Sequence, residues 1–206
     1  MIALYVSSLI TFFVVIDPPG CAPIYAGLTS GANAAQRRAM AIRAVVVAAL
    51  ILLVFALFGE DLLRGLGISL ASFRIAGGIM LFLIALEMVF EKRTQRREDR
   101  AAKVAETAEV EDVSIFPMAM PMIAGPGSIA SVMLLMSRND GLERSAVVLA
   151  ALATILLLTL LALLAAGPIM RVLGVKIEAV ITRLLGVLLA ALAVQFVIDG
   201  VRISLL

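Results

Sequence analysis

Two short runs in this chain combine residues that bind polar ligands with residues that break helices. The first is Asp17-Pro18-Pro19-Gly20-Cys21, with Tyr25 one turn further on. The second is Gly125-Pro126-Gly127-Ser128, followed by Ser131. Proline removes a helix hydrogen bond and clashes with the preceding turn, while glycine lets the chain leave helical geometry cheaply. A half-helix that begins at Gly20 or Gly127 presents unpaired N–H groups and a positive dipole end, which can hold a carboxylate or another anion. Ser128 and Ser131 lie in the first turn of the second half-helix and offer hydroxyl donors. Cys21 is the first run's counterpart of Ser128.

Asp17 is the deepest clear acid, and a carboxylate inside a membrane span usually marks a pathway or a pair. Three readings of it stay open. It caps the next half-helix by accepting from the backbone near Gly20 or Cys21, it caps and also binds a ligand or ion, or it sits at the interface. Its counterpart in the second run falls near Ala124, so the acid is not duplicated. A small zwitterion fits two such runs, with its carboxylate at a helix end and its ammonium near Asp17. Proton and sodium are the candidate coupling ions.

Other chemistries are excluded by what is missing. The chain has no histidine and one cysteine, so it has no Cys/His metal site and no intramolecular disulfide. Ser128 has no histidine base, and the acids are too scattered to form a dyad, which argues against an enzyme. A Gly-rich phosphate loop ending in Lys-Ser/Thr is absent, so nucleotide-driven pumping is not expected and no cofactor is implied. The net charge of +2 is too small to argue for nucleic acid.

The elements that carry these runs are apolar throughout. Of 206 residues, 63% are hydrophobic, against roughly 45–50% in soluble domains, and the mean hydropathy is +1.12. Lipid must solvate much of this surface. Spanning the hydrocarbon core takes roughly 20 apolar residues. Six segments qualify: Ile2 to Leu28, interrupted at 17–20; Ala39 to Phe58; Ile75 to Phe90; Ile115 to Met136, interrupted at 125–127; Ala146 to Ala166; and Ala179 to Ile198. No Lys or Arg precedes the first segment, so it is expected to stay attached as a helix and not to be cleaved as a secretory signal. The expected fold is an all-α, six-span membrane protein forming a single transmembrane domain.

Twelve of the seventeen basic residues fall in the loops after spans one, three and five, six of them in the connector 91–112. The positive-inside rule puts that connector in the cytoplasm and both termini outside. The halves, about 1–90 and 113–206, echo each other at an offset of about 107 residues. Pro19-Gly20 matches Pro126-Gly127, Ser30 matches Ser137, Arg64-Gly65-Leu66-Gly67 matches Arg171-Val172-Leu173-Gly174, and Glu87 pairs with Gln195. Three spans per repeat insert the second half upside down, the inverted arrangement common in secondary transporters. Glu87 is expected to snorkel to the interface and Gln195 to hydrogen-bond between helices. Gly77-Gly78 is expected to allow close helix packing.

The runs Asp17-Pro18-Pro19-Gly20-Cys21-Ala22-Pro23-Ile24 and Ala124-Gly125-Pro126-Gly127-Ser128-Ile129-Ala130, taken with the whole six-span layout, resemble the MarC family, also called the UPF0056 inner membrane proteins. The resemblance implies a bacterial or archaeal cytoplasmic-membrane protein related to LysE-type exporters. Some MarC-like proteins are described as transporters of glycine and alanine. Carried over by position, the resemblance nominates Asp17, Gly20, Gly127 and Ser128. The family's first motif often has Asn where this chain has Cys21, so a ligand role for that position transfers less well. The resulting expectation is a secondary transporter of a small neutral amino acid working by alternating access. The rival is a non-transporting membrane protein with an assembly role. Homo-oligomers are compatible with either.

Overall fold

The computed structural model describes residues 1–29, 31–90, 112–139 and 141–205, with backbone alone at 167–179 and 181–182. The connector 91–112, apart from Asp112, lies outside the described residues, as does Ser30. All elements among the described residues are helical: α1 (Ile2–Ile16), α2 (Pro18–Leu28), α3 (Ala34–Gly65), α4 (Leu70–Val89), α5 (Ser114–Ile123), α6 (Pro126–Arg138), α7 (Leu142–Leu164) and α8 (Ala166–Leu205). Five stretches are long and apolar enough to cross a bilayer: Ile2–Leu28, Ala34–Gly65, Leu70–Val89, Leu142–Leu164 and Arg183–Leu205. The pair α5–α6, bent by 52°, makes a sixth if it is one span.

Helix ends depart from the apolar segments where local chemistry extends or spoils the helix. α3 starts at Ala34, five residues before its apolar segment. Asn33 and Gln36 form a capping box there, each side chain accepting from the other's N–H at 2.9 Å, which satisfies two orphan donors. α8 starts at Ala166, where the sixth span was expected only from Ala179. Pro168 falls in its first turn, where proline is tolerated. The expectation of regular helix from Ile115 up to the 125–127 interruption is corrected. Phe116 (φ −124°, ψ 126°) and Met120 (φ −131°, ψ 126°) are extended, and each precedes a proline. A residue before proline is pushed out of the α region, so α5 is a wide, irregular winding and regular helix begins at Pro126.

Most packing runs between the halves. α1 and α2 pack on α7 as α5 and α6 pack on α3, and α2 packs on α8 as α6 packs on α4. Exchanging the halves leaves these pairings in place. The longest contact joins α4 and α8. Gly78 meets Ala193 and Val197, Gly186 meets Ala85 and Met88, and Gly200 meets Ala71 and Ile75. Rising numbers on α4 meet falling numbers on α8, so the two helices run antiparallel. A Cβ on Gly78 would come within 2.8 Å of the Ala193 carbonyl oxygen, and one on Gly200 within 3.0 Å of that of Ala71. Backbones touch here, as small residues permit in membranes. Large side chains such as Leu50, Phe58, Leu157 and Val187 point outward and exposed, which suits lipid as the surrounding solvent.

Candidate functional site

The first run is a one-residue interruption. α1 ends at Ile16, Asp17 takes left-handed angles (φ 59°, ψ 64°), and α2 begins at Pro18. Aspartate is one of the few non-glycine residues that visit this region, because its short polar side chain bonds locally. Its carboxylate accepts from the Gly20 N–H at 3.2 Å, and Pro18 has no N–H to satisfy. Asp17 is 2% exposed. A Cβ on Gly20 would lie 2.3 Å from an Asp17 carboxylate oxygen, so glycine is what allows the carboxylate to fold over the turn. Cys21 is buried, and its thiol donates to the Ile16 carbonyl oxygen at 3.5 Å, back across the interruption. Tyr25 points elsewhere: its hydroxyl donates to the Arg37 carbonyl oxygen at the start of α3.

At the second run, Gly125 precedes α6 in an extended conformation (φ −78°, ψ 172°), and no side chain caps the helix. A Cβ on Gly125 would come 2.3 Å from the Pro121 carbonyl oxygen, so glycine is required here too. Ser128 lies in the first turn, and Ser131 falls a turn later because regular helix starts only at Pro126. Both serines are buried. The Ser131 hydroxyl has no hydrogen-bond partner among the described residues. A buried hydroxyl left unpaired costs free energy, so each such case calls for an explanation.

The two runs approach each other across α1 and α6. A Cβ built on Gly127 would sit 3.3 Å from Val15, two residues before Asp17, and 2.6 Å from Ile84 of α4. The immediate neighbours of Gly127 are thus aliphatic. Neither of two cavities formed among the described residues is lined by Asp17, Gly20, Gly127, Ser128 or Ser131.

Three polar contacts were not anticipated from the sequence. Arg74 is buried on α4, and its guanidinium donates to the Ser137 carbonyl oxygen at 3.1 Å, near the negative end of α6. Arg138, the last residue of α6, pairs with Asp199 of α8 and lies 5.2 Å from the Phe196 ring centre. Gln195 donates to Asp199 at 2.8 Å within α8, which corrects the expected bond between helices. The i,i+4 spacing of Gln195 and Asp199 was the available signal for that last contact. No spacing rule links Arg138 to Asp199 or Arg74 to Ser137.

The model of the MarC family of integral membrane proteins matches residues 2–205. The chain is similar to a UPF0056 membrane protein of Methanocaldococcus jannaschii, 37% identical over 199 residues, covering 95% of each chain. It is also similar to the UPF0056 membrane protein YvbG of Bacillus subtilis, 35% identical over 202 residues covering 98% of this chain and 96% of that one. The UPF0056 membrane protein YhcE of Escherichia coli is 33% identical over 198 residues, covering 96% and 92%. No solved structure matches.

Proposed function

The chain belongs to the MarC family of integral membrane proteins, and from that premise we propose that it is a secondary transporter of a small polar metabolite, with neutral amino acids such as alanine and glycine the first substrates to test. The observation that carries this reading is the unpartnered, fully buried Ser131 hydroxyl one turn into α6, a helix with no side-chain cap. A substrate carboxylate reaching the head of α6 would take up its free N–H groups and supply the hydroxyl with an acceptor. Asp17, across the α1–α6 contact, would balance the ammonium or carry a coupling proton or sodium ion. The exchange of pairings between halves and the antiparallel α4 and α8 support an inverted repeat. Rocking of one repeat against the other would alternate access. In this reading the protein sits in the cytoplasmic membrane with both termini outside.

The aliphatic surroundings of Gly127 favour a second reading, an assembly or interaction role with a dry interior between the two runs. Uptake of labelled alanine and glycine into proteoliposomes separates the two. Saturable flux above that of protein-free vesicles supports transport. Folded protein with no saturable flux for any small metabolite supports the second reading.

A further inference from the structure

One end of the bundle holds a cleft that the transport reading does not use. It has a volume of about 440 Å³, lies between the ends of α2 and α7 and the start of α3, and is lined by Tyr25, Thr29, Arg37, Arg38, Leu163 and Leu164 among others. Arg37 and Arg38 are exposed, and neither forms an ion pair with a described acid. Their neighbours in the wall are already committed. The Thr29 hydroxyl donates to the Tyr25 carbonyl oxygen at 2.7 Å, and the Tyr25 hydroxyl donates to the Arg37 carbonyl oxygen. The Thr29 bond stays within the end of α2, while the Tyr25 bond ties α2 to the first turn of α3, so the backbone carrying both arginines is held in place. The Asn33–Gln36 box satisfies helix-end donors beside them, which leaves the guanidinium groups as the free binding capacity. The opposite wall is apolar, and Leu164 is 44% exposed.

A cleft with two guanidinium groups unpaired among the described residues on one side and exposed aliphatic surface on the other suits an anionic amphiphile. Arg pairs bidentately with phosphate oxygens. Basic pockets between membrane helices on the cytoplasmic side hold acidic lipid headgroups, and the count of basic residues puts this end on that side. We propose that the Arg37–Arg38 cleft binds a phosphate-bearing anion, the headgroup of an acidic phospholipid or a free phosphate, with the lipid's chains lying along Leu164. The proposal is independent of whether the protein transports anything.

The test is native mass spectrometry of the full chain in neutral detergent, titrated with phosphatidylglycerol or with phosphatidylcholine, each with and without millimolar inorganic phosphate. The expected result is retention of phosphatidylglycerol over phosphatidylcholine. Affinity should fall about thirtyfold in Arg37→Gln/Arg38→Gln, since each basic residue near an anionic headgroup contributes about 1 kcal/mol and about 1.4 kcal/mol is tenfold. Arg37→Lys/Arg38→Lys, which keeps both charges but loses the bidentate fork, should bind between wild type and the glutamine variant. Arg64→Ala/Arg144→Ala, with the same loss of charge at the other end, should bind as wild type does. Displacement of the lipid by inorganic phosphate would identify free phosphate as a ligand of the same site, and no displacement would identify the lipid. Equal retention of the two lipids, or equal affinity in the glutamine variant and wild type, would overturn the proposal.

Discussion

Asp17 and Gly20 act as one unit, since the carboxylate that caps the turn occupies the space a Gly20 side chain would need. Gly20→Ala should push the carboxylate off the turn and destabilise the folded protein by about 1–3 kcal/mol, read as a lower melting temperature in detergent. Asp17→Ala should cost about 1 kcal/mol through the lost cap. Asp17→Asn keeps an acceptor oxygen, so it should melt within a few degrees of wild type while removing the charge that the transport reading requires. The sequence located this unit because proline, glycine and aspartate have strong local preferences. It did not show that Tyr25 turns away toward Arg37, since that depends on where α3 starts relative to α2.

At the scale of elements, the tightest constraint is the backbone contact between α4 and α8. Gly78→Ala would bring a Cβ within 2.8 Å of a backbone oxygen that cannot swing aside. The expected cost is about 1–3 kcal/mol. Gly27→Ala, with nothing within 4 Å of the new Cβ, should be neutral or slightly stabilising because alanine favours helix. Melting of the two variants side by side checks both. The apolar segments were legible because a bilayer demands length and hydrophobicity, and the spans recur near their expected places. Their ends were less legible. Capping by Asn33 and Gln36 carried α3 past its apolar stretch, and the prolines at 117 and 121 unwound α5. The close packing expected at Gly77-Gly78 is shared between two partners, Gly78 meeting Ala193 of α8 and Gly77 meeting Ala130 and Leu134 of α6, and the sequence did not show which, because a glycine's partner lies far away in sequence.

For the whole molecule, the ends of the elements gather at two poles. One pole holds the Arg37–Arg38 cleft at the ends of α2 and α7. The other holds a cavity of about 170 Å³ lined by Glu60, Leu70, Ser137 and Gly141, at the end of α3 and the starts of α4 and α7. If the positive-inside reading holds, the first pole is cytoplasmic. In a Cys21→Ser background, Gln36→Cys should react with a membrane-impermeant maleimide only in inside-out vesicles. Leu142→Cys, at an 89% exposed position, should react in intact cells. The reverse pattern would invert the topology and place the arginine cleft outside. The proposed inverted repeat would account for both the 107-residue echo in the sequence and the pairings that recur when the halves are exchanged. In the proposed transporter the capped turn at Asp17 and the uncapped head of α6 serve one polar ligand. Initial rates of labelled alanine uptake into proteoliposomes by wild type, Asp17→Asn and Ser131→Ala test it most directly. Transport through this pair of runs should give saturable uptake by wild type, at least about tenfold slower uptake by Asp17→Asn, and a weaker apparent affinity in Ser131→Ala, since a lost hydrogen bond costs about 1 kcal/mol. Wild-type uptake no faster than that of protein-free vesicles, or unchanged rates in both variants, would contradict it.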